Sequence, residues 1–264
     1  MVCPVAIPIV QGLMHLAVRH ATFYEGDVKH LIKHSPGMES LEIYGSLISD
    51  EAVITIANHL PELKRLGLSK TKVGDTGVFY VGHDLEGLEG LELDETKVTD
   101  ASLRYVAGKA KNLQSLHVSQ TSVTARTLQA LKDNQVMADL VVYGCQVGDE
   151  GAYAIASNAR PKLRSLNFSK TGVTANGLKE IARASPNLMS LRIGANPLGD
   201  EGLEAVLDAL PGLAELEVGR CGITDKGAQM IYDCLTGPAI VYIQYENKVS
   251  EPMLELLRTK FIVS

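Results

Sequence analysis

The sequence predicts an α/β fold, a right-handed solenoid of about ten strand-helix repeats with a parallel sheet on its concave side and helices on its convex side. Two observations carry this prediction: a strand pattern returns about every 25 residues, and a helix pattern follows each strand pattern. Leu, Val, Ile and Ala supply most of the apolar side chains, because the 264 residues include no Trp and only four Phe. Such side chains suit thin, regularly stacked layers.

The strand pattern places apolar residues at alternate positions, as a half-buried strand requires. A clear example is Leu63-x-x-Leu66-x-Leu68. The pattern recurs at Leu13/Leu16/Val18, Met38/Leu41/Ile43, Leu88/Leu91/Leu93, Leu113/Leu116/Val118, Met137/Leu140/Val142, Leu163/Leu166/Phe168, Leu188/Leu191/Ile193 and Leu213/Leu216/Val218, and weakly at Val241/Ile243. A one-residue deletion within 132–137 and a compensating insertion within 155–163 interrupt the spacing. The repeats leave no room for a second domain.

A short helix is predicted after each strand. It starts at a polar pair such as Thr99-Asp100, whose side chains we expect to accept the free N–H groups of the first turn. Apolar pairs three residues apart, such as Leu103 and Val106, then form one helical face. Prolines are placed where helices must stop, at Pro61, Pro161, Pro186 and Pro211.

A short side chain follows the strands at one repeated position. This position holds Thr71, Thr96, Thr121, Cys145, Thr171, Asn196 and Cys221. We expect the chain to turn inward there, and we expect these side chains to bond the backbone of the neighbouring repeat in a buried ladder. The cysteines at this position are predicted to be inert packing thiols.

One domain is predicted over residues 1–264, with a degenerate N-terminal repeat at 1–37, regular repeats at 38–237, and a C-terminal repeat with a capping helix at 238–264. The apolar first dozen residues lack a basic segment and an A-x-A site, which favours a buried edge over a signal peptide. The helix is predicted to start at 250–252, and the apolar tail 261–263 to cover the last repeat. The alternative is that either end is cut from a longer protein.

The charge and the cysteines narrow the class of partner and the compartment. A net charge of −6 disfavours nucleic acid as a partner. The four cysteines show neither paired nor zinc-finger spacing, which indicates a reducing, cytoplasmic compartment. No apolar run approaches the ~20 residues that span a membrane. We expect a monomer that binds no cofactor, nucleic acid or membrane.

The combined pattern LxxLxLxx(T/N/C)x(V/I/L)xDxGLxx(I/V/L)A resembles leucine-rich repeats of the ribonuclease-inhibitor-like and cysteine-containing types. The segments Asn196–Val206 and Cys221–Ile231 match these types in turn. Because most repeats carry Thr, the chain is also similar to the GALA-type repeats of bacterial effectors. The resemblance implies a horseshoe fold that binds a partner. It does not name the partner, since such proteins include inhibitors, ubiquitin-ligase substrate receptors and effectors delivered into host cells.

The concave face is the predicted binding surface, because strand residues between buried leucines point away from the core. The candidate partner-binding residues are Glu42, Tyr44, Arg65, Lys70, Glu92, Asp94, Glu95, His117, Tyr143, Asn167, Arg192, Glu217, Arg220 and Tyr242. Glu92, Asp94 and Glu95 would attract a basic segment of a partner protein or peptide. Tyr and Arg are frequent interface anchors. The alternative is that these side chains only keep the face soluble.

Candidate groups for catalysis are few. Glu92 and His117 occupy equivalent positions on neighbouring strands, but no third metal ligand accompanies them. His30 and His34 have i, i+4 spacing without the Glu of the HExxH motif. We therefore expect no enzyme, and the leading hypothesis is a non-enzymatic protein-interaction module. The alternatives are the targeting or substrate-recognition part of a bacterial effector or ubiquitin-ligase pathway, and a hydrolase or metalloenzyme.

Overall fold

The computed structural model describes residues 11–19 and 23–264, along which eleven strands alternate with ten helices. The contacts group into two compact units, Met1–Val136 and Met137–Ser264. The N-terminal unit contains β1 (His15–Arg19), α1 (Glu25–His34), β2 (Ser40–Tyr44), α2 (Asp50–His59), β3 (Arg65–Gly67), α3 (Asp75–Asp84), β4 (Gly90–Glu92), α4 (Asp100–Lys109), β5 (Ser115–His117) and α5 (Ala125–Ala130). The C-terminal unit contains β6 (Asp139–Val141), α6 (Gly148–Ala156), β7 (Ser165–Asn167), α7 (Ala175–Ala184), β8 (Ser190–Arg192), α8 (Gly199–Ala209), β9 (Glu215–Glu217), α9 (Asp225–Cys234), β10 (Ile240–Tyr242), α10 (Glu251–Arg258) and β11 (Ile262–Val263).

The strands of each unit form a parallel sheet in sequence order. In the N-terminal unit, β1 to β5 pair so that Leu41, Leu66 and Leu91 lie side by side. In the C-terminal unit, β6 to β11 pair in the same way. Parallel strands joined by helices confirm the predicted α/β fold class. The assignment of residues 1–264 to one domain stays a prediction.

The apolar positions of the repeat form the core. Leu66, Leu91 and Leu116 are at most 2% exposed, and helix residues such as Val106 are buried with them. The prolines predicted to follow the helices lie in turns between a helix and the next strand, which confirms the predicted helix ends. Leu16 of β1 is only partly buried.

Threonines cap the helices as predicted. Thr99, Thr124, Thr174 and Thr224 each accept the backbone N–H of the residue two positions later. Helices α6 and α8 begin differently, at Gly148 and Gly199, whose φ values of 51° and 60° favour glycine. The predicted deletion falls just after α5, which has only 6 residues.

The aspartates at the helix starts act differently from the prediction, because their carboxylates accept hydrogen bonds from the next repeat. Asp75 accepts the backbone N–H and the hydroxyl of Thr99 at 2.9 and 2.7 Å. Asp100 accepts the same two groups of Thr124 at 3.0 and 2.6 Å. Equivalent bonds to the following repeat are made by Asp50, Asp149, Asp200 and Asp225. We call this set the aspartate ladder, and it ties successive repeats together within each unit.

Asp100, a member of the aspartate ladder, makes the free energy of unfolding depend on pH in the acidic range. Burial raises the pKa of Asp100, but hydrogen bonds from Thr124 and Thr127 outweigh burial and hold this pKa below its ordinary value. The stabilisation is therefore complete above the unfolded-state pKa of about 3.9 and is lost as the pH falls through the folded-state pKa. We expect Asp100→Asn to be less stable than the native chain at neutral pH and to lose less stability on acidification. Urea titrations at a series of pH values measure the free energy of unfolding of both proteins. If this free energy falls by the same amount on acidification in the native chain and in Asp100→Asn, the expectation is contradicted.

The predicted buried ladder after the strands is correct only in part. Thr71, Thr96 and Thr171 donate their hydroxyls to the carbonyl three residues earlier in their own repeat. Asn196 instead reaches across, because its amide donates to Phe168 O at 2.8 Å and accepts the backbone N–H groups of Thr171 and Gly172. A hydroxyl on the short Thr side chain bonds locally, whereas the longer amide spans two repeats.

The predicted C-terminal capping helix is confirmed as α10, which begins after Ser250 and has proline in its first turn. The apolar tail covers the last repeat as predicted, because it forms β11 in parallel pairing with β10 and buries Phe261, although Ile262 is 67% exposed. A two-residue strand is too short to show periodicity. Residues 1–10 of the predicted buried edge lie outside the described residues. Within the described residues no helix is both long and apolar enough to cross a bilayer.

Candidate partner-binding face

The candidate residues occupy the surface that the strand register predicts. All fourteen lie on a strand or in the turn that follows it, and each is half-buried or exposed. We call the surface formed by these positions the strand face of each unit. Lys70, Glu95 and Arg220 have φ values of 58°, 54° and 57°. These three residues therefore lie in a left-handed turn after the strand, which the sequence analysis did not predict.

The strand face of the N-terminal unit carries exposed ion pairs. Glu42 accepts a hydrogen bond from Arg19 at 2.8 Å, and Lys70 lies 3.2 Å from Glu95. The Lys70 ammonium also lies 5.3 Å from the centroid of the Tyr44 ring. Exposed pairs of this kind contribute at most about 1 kcal/mol each to stability.

Glu92 is a partly buried carboxylate of this face. Burial raises its pKa above the ordinary value. The charge of His117 lowers this pKa, while Glu42 and Asp94 raise it. Asp94 lies beside it and accepts the backbone N–H of Ser119 in the next repeat. The predicted acidic strand therefore contains one carboxylate that holds repeats together and one whose charge is disfavoured.

The candidate metal and acid–base residues do not form a larger cluster. Within residues 11–19 and 23–264, no three His, Cys, Asp or Glu side chains are grouped so that they could hold a metal ion. The rings of His30 and His34 on α1 lie 4.5 Å apart between centroids. Within these described residues, neither the pair Glu92 and His117 nor the pair His30 and His34 belongs to a group of three metal-ligating side chains.

Two cysteines at the short-side-chain position are buried, and their reactivity is predictable. Burial raises the pKa of the Cys221 thiol to about 11, and the thiolate is the reactive form. We expect iodoacetamide at neutral pH to leave Cys221 and Cys145 unmodified in the folded protein, as measured by peptide mass spectrometry. Cys234 is only partly buried and is the internal comparison. Modification of Cys221 in the folded protein, to the extent seen after denaturation, would contradict this expectation.

The strand face of the C-terminal unit contains a cleft of about 450 Å³. It is lined by Tyr143, Asn167, Ser169, Arg192, Gly194, Ala195, Glu217, Gly219, Arg220, Tyr242 and Tyr245. Six of these are candidate residues named from the sequence. The volume lies within the range of about 300–1,000 Å³ typical of ligand sites. We call it the C-terminal cleft.

Glycines form the floor of the C-terminal cleft. Gly194 and Gly219 occupy the position that holds Ser69, Asp94 and Tyr143 in other repeats. A β-carbon at Gly194 would collide with the carboxylate of Glu217. The two glycines therefore leave room on the strand face for the Glu217 carboxylate, a signal that was present in the sequence but not used.

The Glu217 carboxylate lies over this floor and lines the cleft. Its carboxylate accepts the Ser169 hydroxyl at 2.9 Å and the backbone N–H groups of Gly194 and Gly219 at 3.0 and 3.1 Å. Three donors satisfy most of its capacity as an acceptor. Glu217 is therefore placed to hold three repeats in register, and its predicted contact with a partner stays a prediction.

Arginines and tyrosines form the walls of the C-terminal cleft. Arg192 donates from Nε and Nη2 to one oxygen of Glu215, at 2.9 and 2.6 Å. Arg220 places its guanidinium 4.5 Å from the centroid of the Tyr245 ring and donates to Glu246. Each guanidinium is thus paired with a carboxylate and half-exposed. The walls offer flat, stacking surfaces and few uncompensated charges.

This repeat architecture defines a class of protein, and comparison supports it. A family model described as Leucine Rich repeat matches residues 133–156, 160–182, 184–207 and 213–231. Together with the repeated strand-helix structure, these matches support a leucine-rich-repeat protein. The ribonuclease-inhibitor-like and GALA-type assignments stay predictions.

Solved structures show the same fold. A chain from the crystal structure of the Rad7 and Elc1 complex in yeast is similar with a TM-score of 0.61 and 16% identity. The similarity covers 96% of this chain and 74% of that chain. At this identity the likeness concerns the fold alone. No curated protein matches the sequence significantly.

Proposed function

We propose that this chain is a non-enzymatic protein-interaction module that binds a partner protein or extended peptide on its strand face. The observation that carries the proposal is the C-terminal cleft, because it groups Tyr143, Arg192, Arg220 and Tyr242 around one concavity. Tyr and Arg are the residue types that most often anchor interfaces. The leucine-rich-repeat fold also supports it, and the similar solved chain is itself part of a two-protein complex.

The N-terminal strand face favours a partner segment with basic side chains. Glu42, Glu92 and Asp94 make the local potential more negative, and their carboxylates repel one another. Burial also disfavours the charge on Glu92. A cationic side chain placed there would offset the repulsion among the carboxylates. The role as the targeting part of an effector or ubiquitin-ligase pathway stays a prediction.

Affinity capture with matched variants tests the proposed function. The native chain is used as bait beside a strand-face variant, Tyr143→Ala with Tyr242→Ala. The control carries Tyr153→Ala with Arg183→Ala on helices α6 and α7 of the same unit, where both side chains are exposed. We expect the strand-face variant to lose the captured protein and the control to keep it. Thermal unfolding measured by circular dichroism verifies that both variants remain folded.

Two outcomes would count against the proposal. A captured protein that the strand-face variant retains would place the interaction elsewhere on the molecule. If only the control variant fails to capture this protein, the binding surface lies on the helices.

A further inference from the structure

We propose that the C-terminal cleft receives an uncharged aromatic side chain, presented by an extended segment of the partner protein. This proposal rests on the proposed function and names the chemistry of the partner group. It is carried by the shape of the cleft, by the pairing of its charges and by the faces of its walls.

The shape of the cleft favours a flat group on an extended chain. Its lining residues come from five successive repeats, from β6 to the turn after β10. Four steps between parallel strands at ~4.8 Å give a length of roughly 19 Å, which about six extended residues span. Gly194 and Gly219 carry no side chains in the middle of the floor, and the Glu217 carboxylate lies over them. A ring inserted there would meet backbone, Ala195 and a Glu217 carboxylate that already accepts three hydrogen bonds.

The arginines of the cleft are already paired with carboxylates. Arg192 is held by Glu215, and Arg220 by Glu246. Glu217 is held by backbone N–H groups and a hydroxyl. An incoming carboxylate would have to break one of the arginine pairs, and an ammonium would compete with the three donors that Glu217 already has. An uncharged ring leaves these bonds in place, so it enters at lower electrostatic cost.

The walls present the surfaces on which aromatic rings stack. Arg220 already lies over the ring of Tyr245, at 4.5 Å from guanidinium carbon to centroid. Tyr143 and Tyr242 supply two further rings at the cleft. Ring–ring and guanidinium–ring contacts both favour a planar apolar group over an aliphatic one of similar size.

A tryptophan peptide tests the proposal directly. The chain contains no Trp, so the fluorescence of the probe Ac-Gly-Gly-Trp-Gly-Gly-NH2 reports the peptide alone. We expect saturable binding, detected as a blue shift and a rise in anisotropy. Competing peptides with Leu, Glu or Lys in place of Trp should each be at least about tenfold weaker, the effect of removing one interface anchor.

Variants assign the signal to the cleft. Tyr143→Ala and Arg220→Ala should each weaken the Trp peptide about tenfold. Tyr153→Ala and Arg183→Ala, in the same unit but on helices, should leave it unchanged. Because Tyr143 is only partly buried and Arg220 is exposed, circular dichroism should show native spectra for both cleft variants.

The outcomes separate this proposal from the proposed function. Absence of Trp-peptide binding, equal binding by the cleft variants, or preferential binding of the Glu or Lys peptide would each overturn the aromatic proposal. If the strand-face variant still loses its captured protein, the proposed function survives that failure. If the Trp peptide binds the cleft but capture is unaffected by the strand-face variant, the aromatic site stands and the proposed function fails.

Discussion

Replacing Leu166 by alanine is expected to lower the free energy of unfolding by about 2–5 kcal/mol. Leu166 is fully buried in β7, and it lies between Leu140 of β6 and Leu191 of β8. Truncation therefore opens a cavity against two neighbouring repeats, and neither can close it without shifting its own strand. Urea denaturation followed by far-ultraviolet circular dichroism measures the change.

The matched control is Leu16→Ala, at the same repeat position in β1. Leu16 pairs with Leu41 and is only partly buried, so less apolar surface is lost on truncation. We expect it to cost less than half as much as Leu166→Ala. A cost below about 0.5 kcal/mol for Leu166→Ala, the range of surface substitutions, would mean that the strand register is wrong.

Replacing Asn196 by alanine is expected to cost about 3 kcal/mol. The Asn196 amide is buried, donates to Phe168 O and Ile193 O, and accepts the backbone N–H groups of Thr171 and Gly172. Alanine removes all four bonds and leaves backbone groups of two repeats without their partner. Equilibrium unfolding in urea gives the loss, and hydrogen exchange at Gly172 should rise with it.

Thr96→Val is the control for this substitution, because Thr96 occupies the same repeat position but bonds only within its own repeat. Removing that single hydroxyl should cost about 1 kcal/mol. If Asn196→Ala and Thr96→Val lower the free energy of unfolding equally, the bridge between repeats makes no contribution to stability.

Much of the fold followed from local patterns. The alternation in Leu63-x-x-Leu66-x-Leu68 has the period of a strand, and its return after 25 residues requires stacking, because one strand and one short helix have no other surface for their apolar sides. The caps at Thr99 and Thr124 were equally predictable, since a hydroxyl accepts N–H groups within its own turn.

The direction of longer polar side chains was not predictable in the same way. Asp100 was expected to cap its own helix but accepts bonds from Thr124 in the next repeat. Glu217 accepts backbone N–H groups of Gly194 and Gly219, which its position on the strand did not predict. In both cases the sequence specifies the acceptor, and donors from other repeats are chosen only when those repeats are packed beside it.

The sequence by itself determined the repeat, the strand register and the chemical content of the strand face, because each depends on periodicity within about 25 residues. Only the tertiary structure decided that Tyr143, Arg192, Arg220 and Tyr242 share one cleft, and that their charged members are already paired. The physical reason is that the cleft is lined by side chains from five repeats, which come together only when the repeats are packed. Gly194, for example, makes room for the Glu217 carboxylate only when the next repeat lies beside it.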